Sequence, residues 1–212
     1  MKSSLIDTLR QRAGAGSERF MLGICGAPGA GKSTLAEWIV SEWNKQEPNT
    51  AVLVPMDGYH LSNESLEEKS LLQLKGIPDT FDAVSFVDKL DKIKKNPRET
   101  HFCPRFERSI EASIQDAISV NSTHRLVLTE GNYLLLDKEP WSRIREILDE
   151  VWMIEAEEEL ILPRLLARHQ AGGKTADAAL AKVNSTDLPN ARLVAQSGTK
   201  ANRRFKASEL QG

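Results

Sequence analysis

The chain has 212 residues, 40% hydrophobic and 27% charged, with 13 glycines, 9 prolines and 2 cysteines, a globular profile large enough to bury a core without covalent staples. Its 28 basic residues against 30 acidic ones leave a formal net charge of −2, so no global field gathers nucleic acid or anionic lipid, and neither is expected as a partner. The longest uncharged stretch, residues 20–31, is glycine-rich and falls well short of the roughly 18 apolar residues of a membrane span; with no apolar signal core before it, a cytoplasmic protein is expected.

Leu5, Ile6 and Leu9 mark an amphipathic helix over about residues 1–16, broken at Gly14 and Gly16. The period then changes. Phe20 to Cys25 is a short continuous apolar run ending in glycines, followed by Ser33 to Asn44 with Leu35, Trp38, Ile39 and Glu42 at helical spacing, which predicts strand, turn, helix. Ala51–Val54, Leu126–Thr129 and Val151–Ile154 predict further buried strands, and Leu61–Leu74 and Ala83–Lys95 predict helices. A helix near Glu158–Gln170 contains Pro163, tolerable in a first turn but disruptive in an interior, and Gly172-Gly173 stops it. Continuous apolar strands alternating with helices indicate the α/β class: a doubly wound, mostly parallel sheet covered on both faces, with ligands at the carboxyl ends of its strands. One domain over residues 1–212 is expected, carrying a small helical lid at about 157–185. Cys25 and Cys103 lie far apart with no CxxC and no histidine at metal-ligand spacing, so two buried or idle thiols are expected rather than a disulfide or a zinc site.

Gly26-Ala27-Pro28-Gly29-Ala30-Gly31-Lys32-Ser33 satisfies GxxxxGK[ST] between a strand and a helix. Average residue usage yields such a match by chance in roughly one chain in a hundred of this length, before the strand–helix context is required. The glycines let backbone amides point inward, and the helix that follows presents its positive end to an anion. Lys32 supplies a point charge for terminal phosphates and Ser33 an oxygen for Mg²⁺, so this P-loop fold implies a nucleoside triphosphate with its metal. Thr34 continues the cradle.

The cradle alone leaves GTPase, motor, transporter ATPase and small-molecule kinase open. No DxxG occurs, and Asn44-Lys45-Gln46-Glu47 ends the cradle's own helix, where it cannot read guanine. Asp57 lies just beyond the second strand and Glu130 closes a later one. Phosphoryl transfer to an alcohol needs one carboxylate for the hydroxyl proton and one for the metal; Asp57 is assigned as base and Glu130, with Ser33, as metal partner. Arg164 and Arg168, four apart, share a helix face and suit a lid that offsets charge on the transferred group, unless they form a solvated face. His169 beside the glycines is expected to complement the helix C-terminus. Pro78, Asp79, Phe81 and Asp82, and Pro104-Arg105-Phe106-Glu107-Arg108, read as irregular segments that line an acceptor pocket or pack loops.

The series GAPGAGKST at Gly26, MDGYHLSN at Met56, KGIPDTFD at Lys75, PRFERSIE at Pro104, TEGNYLLLD at Thr129, RLLARH at Arg164 and DLPNARLV at Asp187 resembles the uridine kinase, phosphoribulokinase and bacterial pantothenate kinase superfamily. It looks closest to the bacterial branch labelled fructose-transport-system kinase or pantothenate kinase-related protein, over about residues 20–195. The resemblance implies ATP- and Mg²⁺-dependent phosphorylation of a small-molecule hydroxyl by a monomer or homodimer. It places the base on Asp57, an acceptor contact on His60, the acidic metal partner on Glu130, the lid arginines on Arg164 and Arg168, and an adenine side near Asn190 and Arg192. Lys32 joins the catalytic set; Tyr59, Phe81, Arg108 and Tyr133 complete the expected acceptor side. Nucleoside kinases of this group carry an aspartate for the ribose hydroxyls where this chain has Gly76, which disfavours a nucleoside; a sugar is the first expectation and a pantothenate-like acceptor the next. Pro163 replaces a basic residue common in the branch. Residues 202–205 offer no clear final strand. A nucleotide-binding regulatory or assembly protein, or a simple ATPase, is the competing class.

Overall fold

The structure, a computed structural model, describes residues 2–14 and 19–210. Helix α1 (Lys2–Gly14) precedes strand β1 (Phe20–Gly26), helix α2 (Lys32–Gln46) and strand β2 (Ala51–Pro55). Then come α3 (Asn63–Glu68), α4 (Ala83–Lys95), the hairpin strands β3 (His101–Glu107) and β4 (Ala112–Val120), and β5 (Leu126–Gly131). The chain closes with α5 (Ile144–Ile147), β6 (Glu150–Glu155), α6 (Glu158–Ala171), α7 (Ala176–Lys182), α8 (Leu188–Ser197) and β7 (Arg203–Lys206). The expected break at Gly16 lies outside the described residues.

The main sheet has five strands in the order β2-β5-β1-β6-β7, and every pairing in it is parallel. Side chains alternate across it, as the period of two requires. Met21, Cys25, Val127, Val151 and Met153 join the core under α4 and α5, while Leu22, Ile24, Leu128, Trp152 and Ile154 join the one under α1, α2 and α6. Each of these buried aliphatic side chains contributes about 1.5–3 kcal/mol of transfer free energy. β1 is central and feeds both layers. Among the described residues no helix is long and apolar enough to cross a membrane.

Three expectations are corrected. The helix expected over Leu61–Leu74 is shorter: Ser62 caps α3 by accepting from the Ser65 amide, and Ser70, at φ 56, turns the chain left-handed before a 3₁₀ turn at Leu72–Leu74. The segment around Pro104 is not irregular. Its alternation is masked by Pro104, near which the register shifts, yet residues up to Glu107 pair antiparallel with β4. The expectation of no final strand also fails, because Arg203–Lys206 pairs with β6 as the sheet's edge; two arginines and a lysine in four residues hide a strand whose Phe205 packs on Trp152, ring centroids 5.5 Å apart. Pro163 falls inside α6, past its first turn. Behind α6, the residues from Ala176 to Ser197 form one helical run whose middle, Val183–Asp187, is a π turn.

Candidate active site

β1, β5 and β2 bring their carboxyl ends to one edge of the sheet, with Pro55 of β2 in register with Glu130 of β5 and Ile24 of β1 in register with Glu130 on the other side. The loop after β1 turns through Gly29 (φ 78) and Gly31 (φ 100), left-handed conformations that cost a Cβ-bearing residue strain. The Ala30 amide closes the bend on the Ala27 carbonyl at 3.1 Å. α2 then opens at Lys32 with no side-chain cap, leaving a helix terminus with unsatisfied amide donors, which suits an anion.

Lys32, only 9% exposed, folds back so that Nζ donates to the Ala27 carbonyl at 3.1 Å and to Asn132 Oδ1 at 2.7 Å. Burial pulls its ammonium below the usual lysine range, against the opposing pull of Glu130 and Asp57. Ser33 Oγ donates to Glu130 Oε1 at 3.0 Å. Burial pushes the Glu130 carboxyl up, and Lys32 opposes it. A serine hydroxyl beside a carboxylate is a hard oxygen donor set that fits Mg²⁺. Asp57 sits in the 3₁₀ turn directly after β2, where Oδ2 accepts from Arg108 Nη2 at 3.3 Å.

Pro28 through Thr34, Asp57, His60, Phe81, Arg108, Glu130, Arg164 and Arg168 line one cleft of about 1410 Å³. At the end beside Asp57, the His60 ring stacks on Phe81 at 4.0 Å between centroids and tilts against Phe106 at 5.2 Å. His60 Nδ1 is buried with no hydrogen-bond partner among the described residues. Lys75 Nζ lies 5.1 Å from the Phe106 ring centre and donates to Asn63 Oδ1 at 2.9 Å. Tyr59 and Tyr133 stand behind this wall rather than in the cleft: both are buried, Tyr59 against Phe86 and Tyr133 edge-on to Phe81. Trp38 of α2 also lines the cleft, as do Ala207 and Leu210, which follow β7.

α6 reaches over the cradle. Arg164 Nη1 donates to the Gly29 carbonyl at 3.0 Å. Arg168 Nη2 lies 3.7 Å from Asp187 Oδ1, and His169 Nε2 pairs with Asp187 Oδ2 at 2.7 Å. His169, in the last turn of α6 as expected, also engages the π turn. Asn190 and Arg192 fall outside the cleft: Asn190 Nδ2 donates to the Gly76 carbonyl at 3.1 Å, and Arg192 forms a two-pronged pair with Glu158. Reasoning on the sequence passed over Asn132 and Asp187. Asn132 follows Glu130 by two residues in a strand-end motif, so position alone could have found it; Asp187 depends on a helix packing that no local pattern encodes.

A glycine cradle on the central strand, a buried lysine in it, and a serine–carboxylate pair at the next strand end define a P-loop nucleotide site. No protein-family model matches the chain. It is 32% identical over 184 residues to the Schizosaccharomyces pombe protein named "Putative uridine kinase", covering 84% of this chain and 78% of that one. It is 33% identical over 189 residues to the "Uncharacterized protein YggC" of Escherichia coli K12, covering 87% and 76%. A solved structure titled "putative fructose transport system kinase" from Silicibacter sp. TM1040 superposes with a TM-score of 0.87 at 33% identity, covering 97% of this chain and 98% of that one. The chain belongs to the uridine kinase, phosphoribulokinase and bacterial pantothenate kinase superfamily of P-loop kinases.

Proposed function

We propose that the protein transfers the γ-phosphate of ATP to a hydroxyl of a small metabolite. The observation that carries this reading is the convergence of cradle, Glu130 and Asp57 on one cleft that continues past Asp57 into an aromatic, partly charged recess. The nucleotide's terminal phosphates would be held by the amides of residues 29–34 and by Lys32, with Ser33 and Glu130 holding Mg²⁺. That ion, when bound, neutralises charge on the phosphate oxygens. Asp57 takes the acceptor hydroxyl's proton, and its present partner Arg108 orients the carboxylate. Arg164 and Arg168 sit on a lid and are the cations available to the transferred group.

The sheet order supports one orientation of the nucleotide. Asp57 follows β2, two strands from β1 on one side, and Ala207 follows β7, two strands away on the other. With its γ-phosphate toward Asp57, the nucleotide extends over β6 and β7, so its base belongs with Trp38, Ala207 and Leu210 rather than with Asn190 and Arg192. At the acceptor end, His60 with its unpartnered Nδ1, Phe81 and Arg108 contact the substrate, and Tyr59 and Tyr133 support the wall. A sugar is the acceptor class favoured first: Gly76 has no side chain for a ribose diol, and a relative of nearly equal length is titled a fructose transport system kinase. ATP use also implies the cytoplasm as compartment.

The test mixes purified protein with ATP, Mg²⁺ and a panel of sugars, nucleosides and pantothenate, following ADP release and product mass. Acceptor-dependent ADP with a phosphorylated product is expected. Tight ATP binding without transfer across the panel would overturn the reading in favour of a regulatory nucleotide binder, and steady hydrolysis indifferent to acceptor would make the protein an ATPase.

A further inference from the structure

Lys182 ends α7, yet its ammonium points away from its own helix and into the segment that carries Lys75. Lys182 Nζ donates to the carbonyls of Gln73 and Lys75, each at 2.9 Å. Asn190, in α8, donates to the Gly76 carbonyl, and the Tyr133 hydroxyl donates to the same oxygen. Among the described residues no carboxylate pairs with Lys182. A half-buried ammonium thus devotes its hydrogen bonds to neutral backbone oxygens. That is a costly use of a charge unless the position of those oxygens matters.

Segment 72–77 has little else to fix it to the sheet. Its amides bond within the neighbourhood: Leu74 to the Leu71 carbonyl, Lys75 to Leu72, Ile77 to Leu74, and Gly76 to Thr80 Oγ1. Gly76 takes φ 112. The Lys75 side chain emerging from this segment faces the acceptor recess.

The helices that hold this segment also hold the phosphate loop. α6 packs on α7, α7 runs through the π turn into α8, and Arg164 of α6 grips the Gly29 carbonyl. The helices of residues 158–190 therefore touch both the phosphate loop and segment 72–77. We propose that Lys182 is a positioning residue that couples nucleotide occupancy to the acceptor-facing segment 72–77. When the lid settles on ATP, it carries that segment with it and sets Lys75 against the acceptor. By linkage, acceptor binding tightens nucleotide binding by the same factor. This proposal rests on the phosphoryl-transfer reading above.

The experiment is amide hydrogen exchange on the full chain with and without Mg²⁺ and the non-hydrolysable analogue AMP-PNP. In the wild type the analogue is expected to slow exchange at the cradle (26–34), in the lid (158–190) and in 72–80, the last by about tenfold, within the usual range of site coupling. In Lys182→Met, and independently in the shorter Lys182→Gln, cradle and lid keep their protection while 72–80 exchanges within about twofold of its nucleotide-free rate. Lys182→Arg, which can still reach two carbonyls, restores the effect. Strand amides of β1 and β5 serve as the internal standard for folding. Protection of 72–80 that survives in both Lys182→Met and Lys182→Gln overturns the proposal and leaves the kinase reading standing. So does a wild type protected at the cradle but not at 72–80. Absence of protection at the cradle itself overturns the phosphoryl-transfer reading, and this one with it.

Discussion

Asp57 and Glu130 are both carboxylates at strand ends, but their surroundings give them different work. Glu130 is 6% exposed and bound by Ser33, whereas the Asp57 side chain is about one-third exposed and, among the described residues, pairs with the guanidinium of Arg108. A part-exposed carboxylate facing a recess suits proton acceptance; a buried one beside a hydroxyl suits a cation. Asp57→Asn is expected to lower the transfer rate by about 10²- to 10⁴-fold with ATP affinity, read by calorimetry, within about twofold of wild type; an equal loss of both would move Asp57 to the nucleotide. His60 offers a second handle. Burial holds its imidazole below the ordinary value of 6.5, against the pull of Asp57. The unfolded chain therefore takes up this proton first as pH falls, so the stability tied to neutral His60 is present above about pH 6.5 and is lost progressively below it. His124 is shifted the same way, by burial and Arg19, so the wild type alone does not isolate His60. Urea midpoints measured from pH 7.5 to 5 are expected to fall less steeply for His60→Gln than for wild type, and parallel curves would contradict this assignment.

Elements differ in how much of them can be read from the chain. β1, α2, β5, β6 and α4 were legible because each is a continuous apolar run or a 3.6-residue stripe, and the cradle was legible because its chemistry demands particular residues at fixed spacing. The β3–β4 hairpin was not, since β4 is mostly exposed and its apolar alternation of Ala112, Ile114, Ile118 and Val120 is broken at Asp116, which takes φ 54, and β7 was not, since its charged residues are set by the edge of a sheet formed far away in sequence. The acceptor end was legible only as a set of residue types. His60, Phe81 and Phe106 come from three separate segments, and nothing local announces their stacking. The hairpin is nonetheless fastened to the site: a Cβ added at Gly58, one residue after Asp57, would lie 2.3 Å from the Pro104 carbonyl oxygen. Gly58→Ala must therefore push β3 away or displace the 3₁₀ turn carrying Asp57, at a cost of about 1–3 kcal/mol. A drop in the denaturant midpoint together with lost transfer activity is expected; an unchanged midpoint would mean that the turn yields freely.

The whole molecule is two apolar layers sharing one sheet, with β1 contributing to both. Ile24→Ala, at a fully buried position on that strand, is expected to cost about 2–5 kcal/mol and to lower a single melting transition seen alike by far-ultraviolet dichroism and tryptophan fluorescence; separate transitions would mean that the layers melt independently. The two cysteines sit at informative depths in this arrangement. Cys25 lies on the central strand and Cys103 on the hairpin, and neither exposes any surface. Burial pushes the Cys25 thiol up to about 11. The native fold is thus a lock against alkylating reagents, and each adduct that forms is a timestamp of opening. Chains bearing one adduct, mapped to Cys103, would count excursions of the hairpin alone; chains bearing two would count passages through the unfolded state.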